Sequence, residues 1–415
     1  MREISSDACS GAALPMRAIS VLDEIDEVEA IAPAWRALVE GDALPVTVFQ
    51  SPGWLLPAMR RLRDGPNATS MRFVVVRDRA GLAMIAPFAV TVHGGVRVLE
   101  WLGTPLLEYG DVIVRRDCDA GRLLGEVVSH LKIRDRLDAV HLNKVREDAA
   151  AFGYLSENAT ILPNRNRAPF VKLTTSPPTA ADCDGRSSRS AKGNRRKRRR
   201  LAELGTISFA VHAAGERARG LARLALEHKQ TWLDERGLIS RTLGSAACTG
   251  ALLDAAGDEE SGALVSALRF DGRPIAIEIG FVKGQTYYSY LAAIDPQFAR
   301  FSPGSIQLAE LIEWCRAEGL RCFDLLGPEG DYKRSVSTGS VGLGDWAVPL
   351  SFKGRAYAWL VLGFAWPMMK AAFVKSPTPV RQVAKRIAFA REVRQRILAL
   401  MALGGIGAIA ASFAD

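Results

Sequence analysis

Residues 275–333 alternate strand and helix signals in an order that few folds accommodate. Two runs, 275–282 and 287–293, carry β-branched and aromatic residues with a period of two, which predicts a pair of strands. An amphipathic helix is predicted after them, with apolar positions at Leu308, Leu311, Ile312 and Cys315. A short third strand at 322–326 follows. This order predicts an α/β (α+β) domain with a mixed central sheet flanked by helices.

The start of the predicted helix has the composition of an anion-binding turn. Ser302 is a candidate N-cap, and Pro303 suits the first helical position, where its missing N–H costs nothing. The N–H groups of Gly304, Ser305 and Ile306 are expected to point out of the helix end without partners. Gly304 has no Cβ, so an anion can approach the backbone closely. These residues predict a phosphate site, although an ordinary helix start has the same composition.

Five side chains are candidate catalytic groups. Glu278 is the only charge on its strand face, which suits a general base or an ion pair with an arginine. Asp324 ends the third strand, where it either binds loop amides or orients an acceptor. Tyr332 and Lys333 are either a surface pair or the acid and the oxyanion-stabilising cation of a transfer reaction. His228, on an apolar helix face, is more typical of a core histidine and is an alternative base.

Composition limits the class of protein. A chain of 415 residues with 48% apolar side chains suits two domains and an appendage. Its six cysteines lack paired spacing and it has only five histidines, which argues against a zinc site or a disulfide framework. The first twenty residues contain no apolar run typical of a secretory signal. We therefore expect a metal-free cytoplasmic protein.

One segment carries the whole charge imbalance. Residues 186–200 hold nine Lys and Arg residues and no acid, and the rest of the chain has 45 basic and 45 acidic residues. A run of this kind is most often a solvated helix face. Nucleic-acid binding is disfavoured because no aromatic residue is interleaved with the cations. A clamp for an acceptor or for ligand phosphates is the remaining interpretation.

The two halves of the chain share a pattern. Residues 74–86 resemble 267–277, and in both halves a strand, a helix and a strand follow, which predicts an internal duplication. The first copy has Glu108 and Asp111 where the second has the phosphate turn, and these acids would repel a phosphate. We therefore expect the first copy to be structural or to shape the acceptor site, and the second to hold the donor.

This pattern predicts four segments. They are a disordered leader (1–17), an N-terminal domain (18–175), a catalytic domain (176–350) and a helical tail (351–415), with a Pro/Ser-rich linker from residue 174. The tail contains two apolar runs, 356–374 and 397–414, and is basic between them. Packing on the enzyme or on an anionic membrane surface is favoured over a membrane span, because Pro367 interrupts the first run and the second is Gly/Ala-rich.

Three strings of residues carry a family resemblance. Ala-Arg-Phe-Ser-Pro-Gly-Ser at 299–305, Phe-Asp-Leu-Leu-Gly at 323–327 and Asp-Tyr-Lys at 331–333 resemble the GNAT-type acetyltransferases of bacterial cellulose and exopolysaccharide synthesis. That family is distantly related to the FemABX aminoacyl transferases. The common GNAT turn has glycine three and five residues after its first Gln or Arg. Here Pro303 and Ser305 occupy those positions after Arg300.

The resemblance implies tandem GNAT-like domains and an acyl-CoA donor, with acetyl-CoA as the expected co-substrate. The expected donor site is then formed by Ser302, Pro303, Gly304, Ser305, Ile306 and Ala292. The resemblance favours a catalytic role for Tyr332 and Lys333, and Glu278 and Asp324 complete the candidate catalytic set. The implied acceptor is a sugar of a surface polysaccharide, and the resemblance favours the basic run as a phosphate clamp. Two alternatives stay open, namely an aminoacyl-tRNA-dependent transferase and a non-catalytic scaffold at a membrane-bound polysaccharide synthase.

Overall fold

The computed structural model describes residues 17–63, 70–173 and 186–388, with side chains from 17 to 384 outside 174–192. Residues 1–16 of the predicted leader, residues 174–185 of the predicted linker and the apolar run 397–414 lie outside the described residues. The strands are β1 (Ala18–Leu22), β2 (Ser70–Asp78), β3 (Gly81–His93), β4 (Val96–Trp101), β5 (Ile113–Val114), β6 (Ala139–Arg146), β7 (Thr160–Ile161), β8 (Asn166–Lys172), β9 (Ile207–Ala213), β10 (Ala263–Phe270), β11 (Arg273–Lys283), β12 (Thr286–Ile294), β13 (Cys322–Asp324) and β14 (Gly339–Pro349).

Helices cover the sheet and form the C-terminal end of the described chain. The α-helices are α1 (Ile25–Ala37), α2 (Pro52–Arg63), α3 (Ala120–Asp135), α4 (Phe152–Asn158), α5 (Arg186–Ala202), α6 (Glu216–Glu235), α7 (Ala246–Gly257), α8 (Pro303–Ala317), α9 (Asp331–Val336), α10 (Phe352–Ala356), α11 (Trp366–Lys375) and α12 (Thr378–Ala388). Leu38–Asp42 and Tyr357–Ala365 are π-helical.

All the strands belong to one mixed sheet with the order β1-β2-β3-β4-β6-β14-β8-β13-β12-β11-β10-β9, with β5 beside β3 and β7 beside β14. The pairs β4/β6 and β12/β13 are parallel and the other pairs are antiparallel. Each half runs through the same sequence of elements, so β1, β2, β3, β4, α3 and β6 correspond to β9, β10, β11, β12, α8 and β13. The predicted mixed α/β fold with tandem halves is confirmed, and the domain limits stay predictions.

The halves exchange their last strands. β14, from the second half of the chain, pairs with β6 of the first half. β8, from the first half, pairs with β13 of the second half, and β8 and β14 pair with each other at the centre. Main-chain hydrogen bonds therefore join the two half-sheets without a break.

An aromatic cluster fastens the helices of the first half to the sheet of the second. Trp54 of α2 packs edge-on against Phe281 of β11, with ring centroids 4.6 Å apart. Phe49 contacts Tyr288 on β12 with a centroid separation of 6.0 Å. These residues belong to one buried cluster that extends through both halves. Because the apolar core is shared, the halves form one structural body.

A buried ionic contact lies where the half-sheets meet. The Asp324 carboxylate, at the end of β13, accepts hydrogen bonds from the Tyr109 hydroxyl at 2.7 Å and the Arg146 guanidinium at 2.8 Å. It also accepts the Leu326 N–H at 2.8 Å, which shapes the loop after β13. Asp324 is only 3% exposed. This arrangement favours the loop-organising interpretation of Asp324 over direct catalysis.

The tail is helical from Phe352 to Lys375, and the start of this helix packs against the first half of the structure. Within the described part of the chain, this is one helix whose length and composition would suffice to cross a membrane, and 11% of its most apolar window is buried. Tyr357 packs against Val96 and Val98 of β4. The predicted helical tail is therefore present up to the last described residue.

Replacing Asp324 by alanine should lower the free energy of unfolding by about 3–5 kcal/mol, because the change leaves the largely buried Arg146 cation with only Asp148 as its ion-pair partner. The matched control is Asp331→Ala, since Asp331 is fully exposed and forms a long ion pair of 3.5 Å. Urea unfolding followed by circular dichroism measures both changes. Equal midpoints for the two variants would contradict the proposed role of this contact.

Candidate active site

A gap opens in the sheet between β12 and β13. The two strands pair only at Thr286–Cys322, Tyr287–Phe323 and Tyr288–Asp324, after which β12 continues to Ile294 without this neighbour. The chain after β13 turns away at Leu326, which has a left-handed φ of 57°. The edge of β12 from residue 289 onward is therefore free to meet an extended ligand.

Glu278 lies in the middle of β11, directly opposite Ala292 of β12. It is only 2% exposed, and burial raises its pKa to about 7. Hydrogen bonds from Ser289 and Tyr287 stabilise the carboxylate and limit that rise. Among the described residues, no arginine or lysine forms an ion pair with Glu278. Glu278 therefore lacks the arginine partner of the ion-pair alternative within the described residues, although the charge of Lys333 acts on it, and a pKa of about 7 suits a general base.

Helix α9 places Tyr332 and Lys333 within electrostatic range of Glu278. Burial lowers the pKa of Lys333, and the charges of Glu108, Asp324 and Glu278 offset part of that change. Its ammonium group donates to the Leu326 carbonyl at 3.0 Å, so the loop that Asp324 organises also holds Lys333. Tyr332 is 62% exposed as a whole residue. Burial around its hydroxyl and the Glu278 charge nevertheless raise its pKa to about 12, which keeps the phenol protonated.

The free edge of β12 contains a lysine contact that the sequence interpretation missed. The ammonium group of Lys229, on α6, donates to the Ala292 carbonyl at 3.2 Å. Burial lowers the pKa of Lys229, and its charge also lowers the pKa of Lys333. The two lysines are therefore close enough to repel each other, which makes this part of the gap favourable for negative charge.

The predicted phosphate turn lies at the far end of β12. Gly304 faces Ile294, since a Cβ built on Gly304 would be 3.2 Å from the Ile294 methyl group. Ala292 precedes Ile294 by two residues on the same strand, so about 7 Å of strand separates the turn from the position opposite Glu278. The turn and the candidate base therefore lie along one edge.

The structure confirms Ser302 at the N-cap and Pro303 at the start of the helix, but two details of the turn differ from the prediction. Ser302 occupies the N-cap position, but its backbone is left-handed with φ 54° and its side chain makes no capping hydrogen bond. The Ser305 N–H is not free, because it donates to the Ser302 carbonyl at 3.0 Å. Among the described residues, the Gly304 N–H donates to no backbone carbonyl of a turn or loop. The helix end is therefore open, with fewer free donors than the composition suggested.

The basic run forms α5, which packs along α8. Arg198 forms an ion pair with Glu310 at 2.6 Å, and Leu201 is buried in the same cluster as Ile306. Ile306 belongs to the first turn of α8, so the C-terminal end of α5 lies beside the candidate phosphate turn. Arg195 and Arg199 are exposed cations of the same helix, so α5 adds positive charge beside the helix that begins at this turn.

In the described residues of the first half, the corresponding gap is closed. Trp101 ends β4, and its indole N–H donates to the Asn143 carbonyl on β6 at 3.1 Å, which closes the corresponding space. The helix equivalent to α8 is α3, and its N-cap Asp119 accepts the Arg122 N–H at 3.0 Å. A carboxylate of the chain itself therefore occupies the anion position of α3.

The two acids predicted to repel a phosphate have other partners. Glu108 forms an ion pair with Lys144 at 3.0 Å. The Asp111 carboxylate accepts the N–H groups of Val112, Ala150 and Ala151, and its burial raises its pKa to about 6. The acid that closes the helix end is Asp119, so the residues named from the sequence were wrong. The expected contrast between the two halves is still present in the structure.

A cavity of about 270 Å³ lies between the halves, next to the loop after β13. Its lining residues are mostly polar and come from both halves: Glu108, Lys144, Asn164, Asn166, Gly327, Pro328, Leu343, Asp345 and Lys370. Glu108 acts electrostatically on Lys333, so the cavity adjoins the catalytic candidates.

The structure therefore brings Glu278, Tyr332, Lys333 and Ala292 together, with Asp324 supporting the loop beneath them. No hydrogen bond joins His228 to these groups among the described residues, and His228 is half-buried on α6. Sequence reasoning missed Lys229 and the two hydroxyls on Glu278. Tyr287 and Ser289 are two positions apart on β12, so their side chains point to the same face of the sheet. This spacing could have predicted that both lie on the face of Glu278.

Comparisons with known proteins agree with this geometry. Residues 188–334 match a family model described as an acetyltransferase (GNAT) domain. No curated protein sequence matches the chain. The crystal structure of FemX aligns with 80% of this chain and 98% of its own, at 11% identity and a TM-score of 0.54. The C-terminal domain of a proposed lysylphosphatidylglycerol synthetase from Agrobacterium fabrum aligns with 85% of this chain and 98% of its own, at 12% identity and a TM-score of 0.51.

These matches support a reaction type but do not identify a substrate. The two structures share the fold with this chain, and the family match identifies a GNAT-type domain in the second half. The sequence-based expectation of an acyltransferase is confirmed at that level. The candidate phosphate turn and the candidate catalytic residues all lie within the matched residues.

Acyl transfer should increase with pH through an apparent pKa near 7, because Glu278 accepts a proton only when it is ionised. Glu278→Gln should remove this limb of the profile and lower kcat/KM by about 10²–10⁴-fold. Tyr287→Phe should shift the limb to higher pH, because the lost hydroxyl stabilised the carboxylate.

The matched control is Glu313→Gln, an exposed glutamate on α8 with a surface ion pair to Arg316. Its profile should equal that of the unaltered enzyme. A Glu278→Gln variant that keeps the neutral-pH limb would assign the titration to another group.

Proposed function

We propose that this protein is an acyl-CoA-dependent N- or O-acyltransferase, with acetyl-CoA as its donor. The observation that supports this most directly is the open gap beside β12. It has an open helix end at one position and a carboxyl group of pKa about 7 at another. A thioester donor extended along this edge would place its phosphates at Gly304 and its carbonyl near Ala292. The GNAT family match supports CoA as the carrier of the acyl group.

The reaction uses the groups around Glu278. The acceptor amine or hydroxyl attacks the thioester carbonyl and forms a tetrahedral intermediate, whose oxygen Lys333 stabilises. The proton of the nucleophile passes to Glu278. When the C–S bond breaks, Tyr332 donates a proton to the departing thiolate, and the acyl group stays on the acceptor.

Ser289 gives the buried base access to the acceptor. Glu278 is only 2% exposed, whereas the half-buried Ser289 lies at the first position of β12 beyond its pairing with β13 and hydrogen-bonds to Glu278. We assign to the Ser289 hydroxyl the transfer of the proton from the acceptor to the carboxylate. Asp324 acts as a positioning residue, since its contacts with Arg146 and Leu326 fix the loop that holds Lys333.

The acceptor is a sugar or a sugar-derived molecule of bacterial surface polysaccharide, as the resemblance to the cellulose- and exopolysaccharide-associated acetyltransferases suggests. The polar cavity between the halves has the oxygen and nitrogen groups that hydrogen-bond to hydroxyls. The enzyme acts in the cytoplasm, with its C-terminal helices in peripheral contact with the inner membrane. The exposed cations of α5 neutralise the phosphates of the donor beside α8.

Isothermal titration of the full chain with acetyl-CoA tests the donor assignment. Gly304→Asp should weaken binding by at least about tenfold, because the new carboxylate repels phosphate at the open helix end. Gly304→Ala is the matched control, since it adds the same Cβ next to Ile294 without charge and should lose far less affinity.

Two outcomes would decide against this proposal. Equal affinities for the Asp and Ala variants would remove the phosphates from the turn. Turnover with aminoacyl-tRNA in the absence of CoA, together with salt-sensitive tRNA binding, would favour the aminoacyl transferase alternative.

A further inference from the structure

The tail helix presents an unusual amount of apolar side chain to solvent. Seven of its large apolar residues are between 44% and 73% exposed, namely Phe352, Trp359, Phe364, Trp366, Met368, Met369 and Val374. Only 11% of its most apolar window is buried on the protein. An apolar surface of this length on an otherwise charged protein marks a contact with another apolar phase or with a partner.

The charge around this helix favours an anionic surface. Residues 352–388 contain seven Lys and Arg residues and no Asp or Glu, and the cations are Lys353, Arg355, Lys370, Lys375, Arg381, Lys385 and Arg386. Tryptophans and basic residues together are typical of helices that lie in the headgroup region of a membrane. Anionic lipids attract such segments electrostatically.

Both ends of the helix are held on the same body. At its start, Gly354 is pressed against the Asp138 carbonyl, and Ser351 donates to the Asp138 carboxylate at 2.6 Å. After its end, α12 packs against Gly237, where an added Cβ would lie 3.1 Å from the Arg381 Cβ. A helix of 24 residues, about 36 Å long, with both ends fixed to one protein lies along a membrane surface and does not cross it.

The helix also passes the cavity between the halves. Lys370 of α11 lines this cavity together with Glu108, Pro328 and Asp345, which belong to both halves. Met368 and Met369, its immediate neighbours, are more than two-fifths exposed. The rim of the candidate acceptor cavity is therefore continuous with the exposed apolar surface.

We infer that the helix 352–375 docks the enzyme on an anionic bilayer and brings the cavity beside Lys370 to the headgroup layer, so that the acceptor is held in the membrane. The acceptor is then an amphiphile, with its polar group in the cavity and its apolar part in the bilayer. The docking surface stands on the helix itself, whereas the acceptor class rests on the proposed function.

Flotation of the full chain with lipid vesicles tests the docking. The protein should float with vesicles of phosphatidylcholine mixed with phosphatidylglycerol, and floating should decrease with added salt and with phosphatidylcholine alone. The double variant Trp359→Ser and Trp366→Ser should bind these vesicles at least about tenfold more weakly. The matched control, Ile133→Ser with Leu204→Ser, removes exposed apolar residues outside the tail and should bind normally.

Equal flotation of the tail variant and the control, or no flotation of the unaltered protein, overturns the docking. All four substituted residues are at least half exposed, so the variants should keep the melting temperature of the unaltered protein. A tail variant that melts normally and binds acetyl-CoA normally separates lost docking from lost folding.

Transfer from radiolabelled acetyl-CoA tests the acceptor class. With bacterial inner-membrane vesicles and the soluble small-molecule fraction of the same cells as separate acceptors, the label should enter the vesicles. The tail variant should label them at least about tenfold less, while its calorimetric affinity for acetyl-CoA stays unchanged.

Label in the soluble fraction alone overturns the membrane-held acceptor and leaves the acyltransferase proposal intact. Absence of acetyl-CoA binding removes the proposed function and with it the acceptor class. Flotation still decides the docking in that case.

Discussion

The exchange of the last strand between the two halves is the constraint on which the rest of the structure depends. Because β8 lies between β13 and β14, and β14 lies between β6 and β8, neither half-sheet is complete without the other. Main-chain hydrogen bonds then set the position of one half relative to the other. Side chains of the first half can therefore stabilise loops of the second. Arg146 does so by binding Asp324 next to the loop whose Leu326 carbonyl accepts a hydrogen bond from Lys333. A flexible linker between two separate domains would not hold these charges in register.

The duplicated halves differ at the two features that make a site. In the second half, the gap beside β12 is open and the first turn of α8 has no side-chain cap. In the first half, the Trp101 indole closes the gap and the Asp119 carboxylate caps the helix. A large apolar ring and one acid are enough to convert a ligand gap into packed structure, since the backbone topology is the same. The first half can then provide the cavity wall and the support for the tail helix without competing for the donor.

Local patterns in the sequence predicted much of this fold. The period-two runs that became β11 and β12, and the helical spacing of Leu308 to Cys315 in α8, are encoded by neighbouring residues, and so is the isolated charge of Glu278. The partners of β8 and β14 could not be predicted, because a strand's own sequence does not state which distant strand it pairs with. The left-handed backbone of Ser302 and the contact of Lys229 with Ala292 also depend on chain segments far from these residues. Local sequence patterns therefore predicted the helices and strands better than the hydrogen-bond partners.

Burial acts in opposite directions on the two charged groups of the candidate site. It raises the pKa of Glu278 to about 7 and lowers the pKa of Lys333, so both groups move toward neutrality. For Glu278 the folded pKa is above the ordinary value of 4.5, so the folded state loses stability as pH increases from about 4.5 to about 7 and the loss is complete above that range. The loss is on the order of 3 kcal/mol. A carboxylate replaced by a neutral apolar residue would avoid this cost, and so would one paired with an arginine. Glu278 is buried, accepts hydrogen bonds from two hydroxyls and has no ion pair within the described residues. These features suit a group that accepts a proton at neutral pH, and they do not suit a group that only stabilises the sheet.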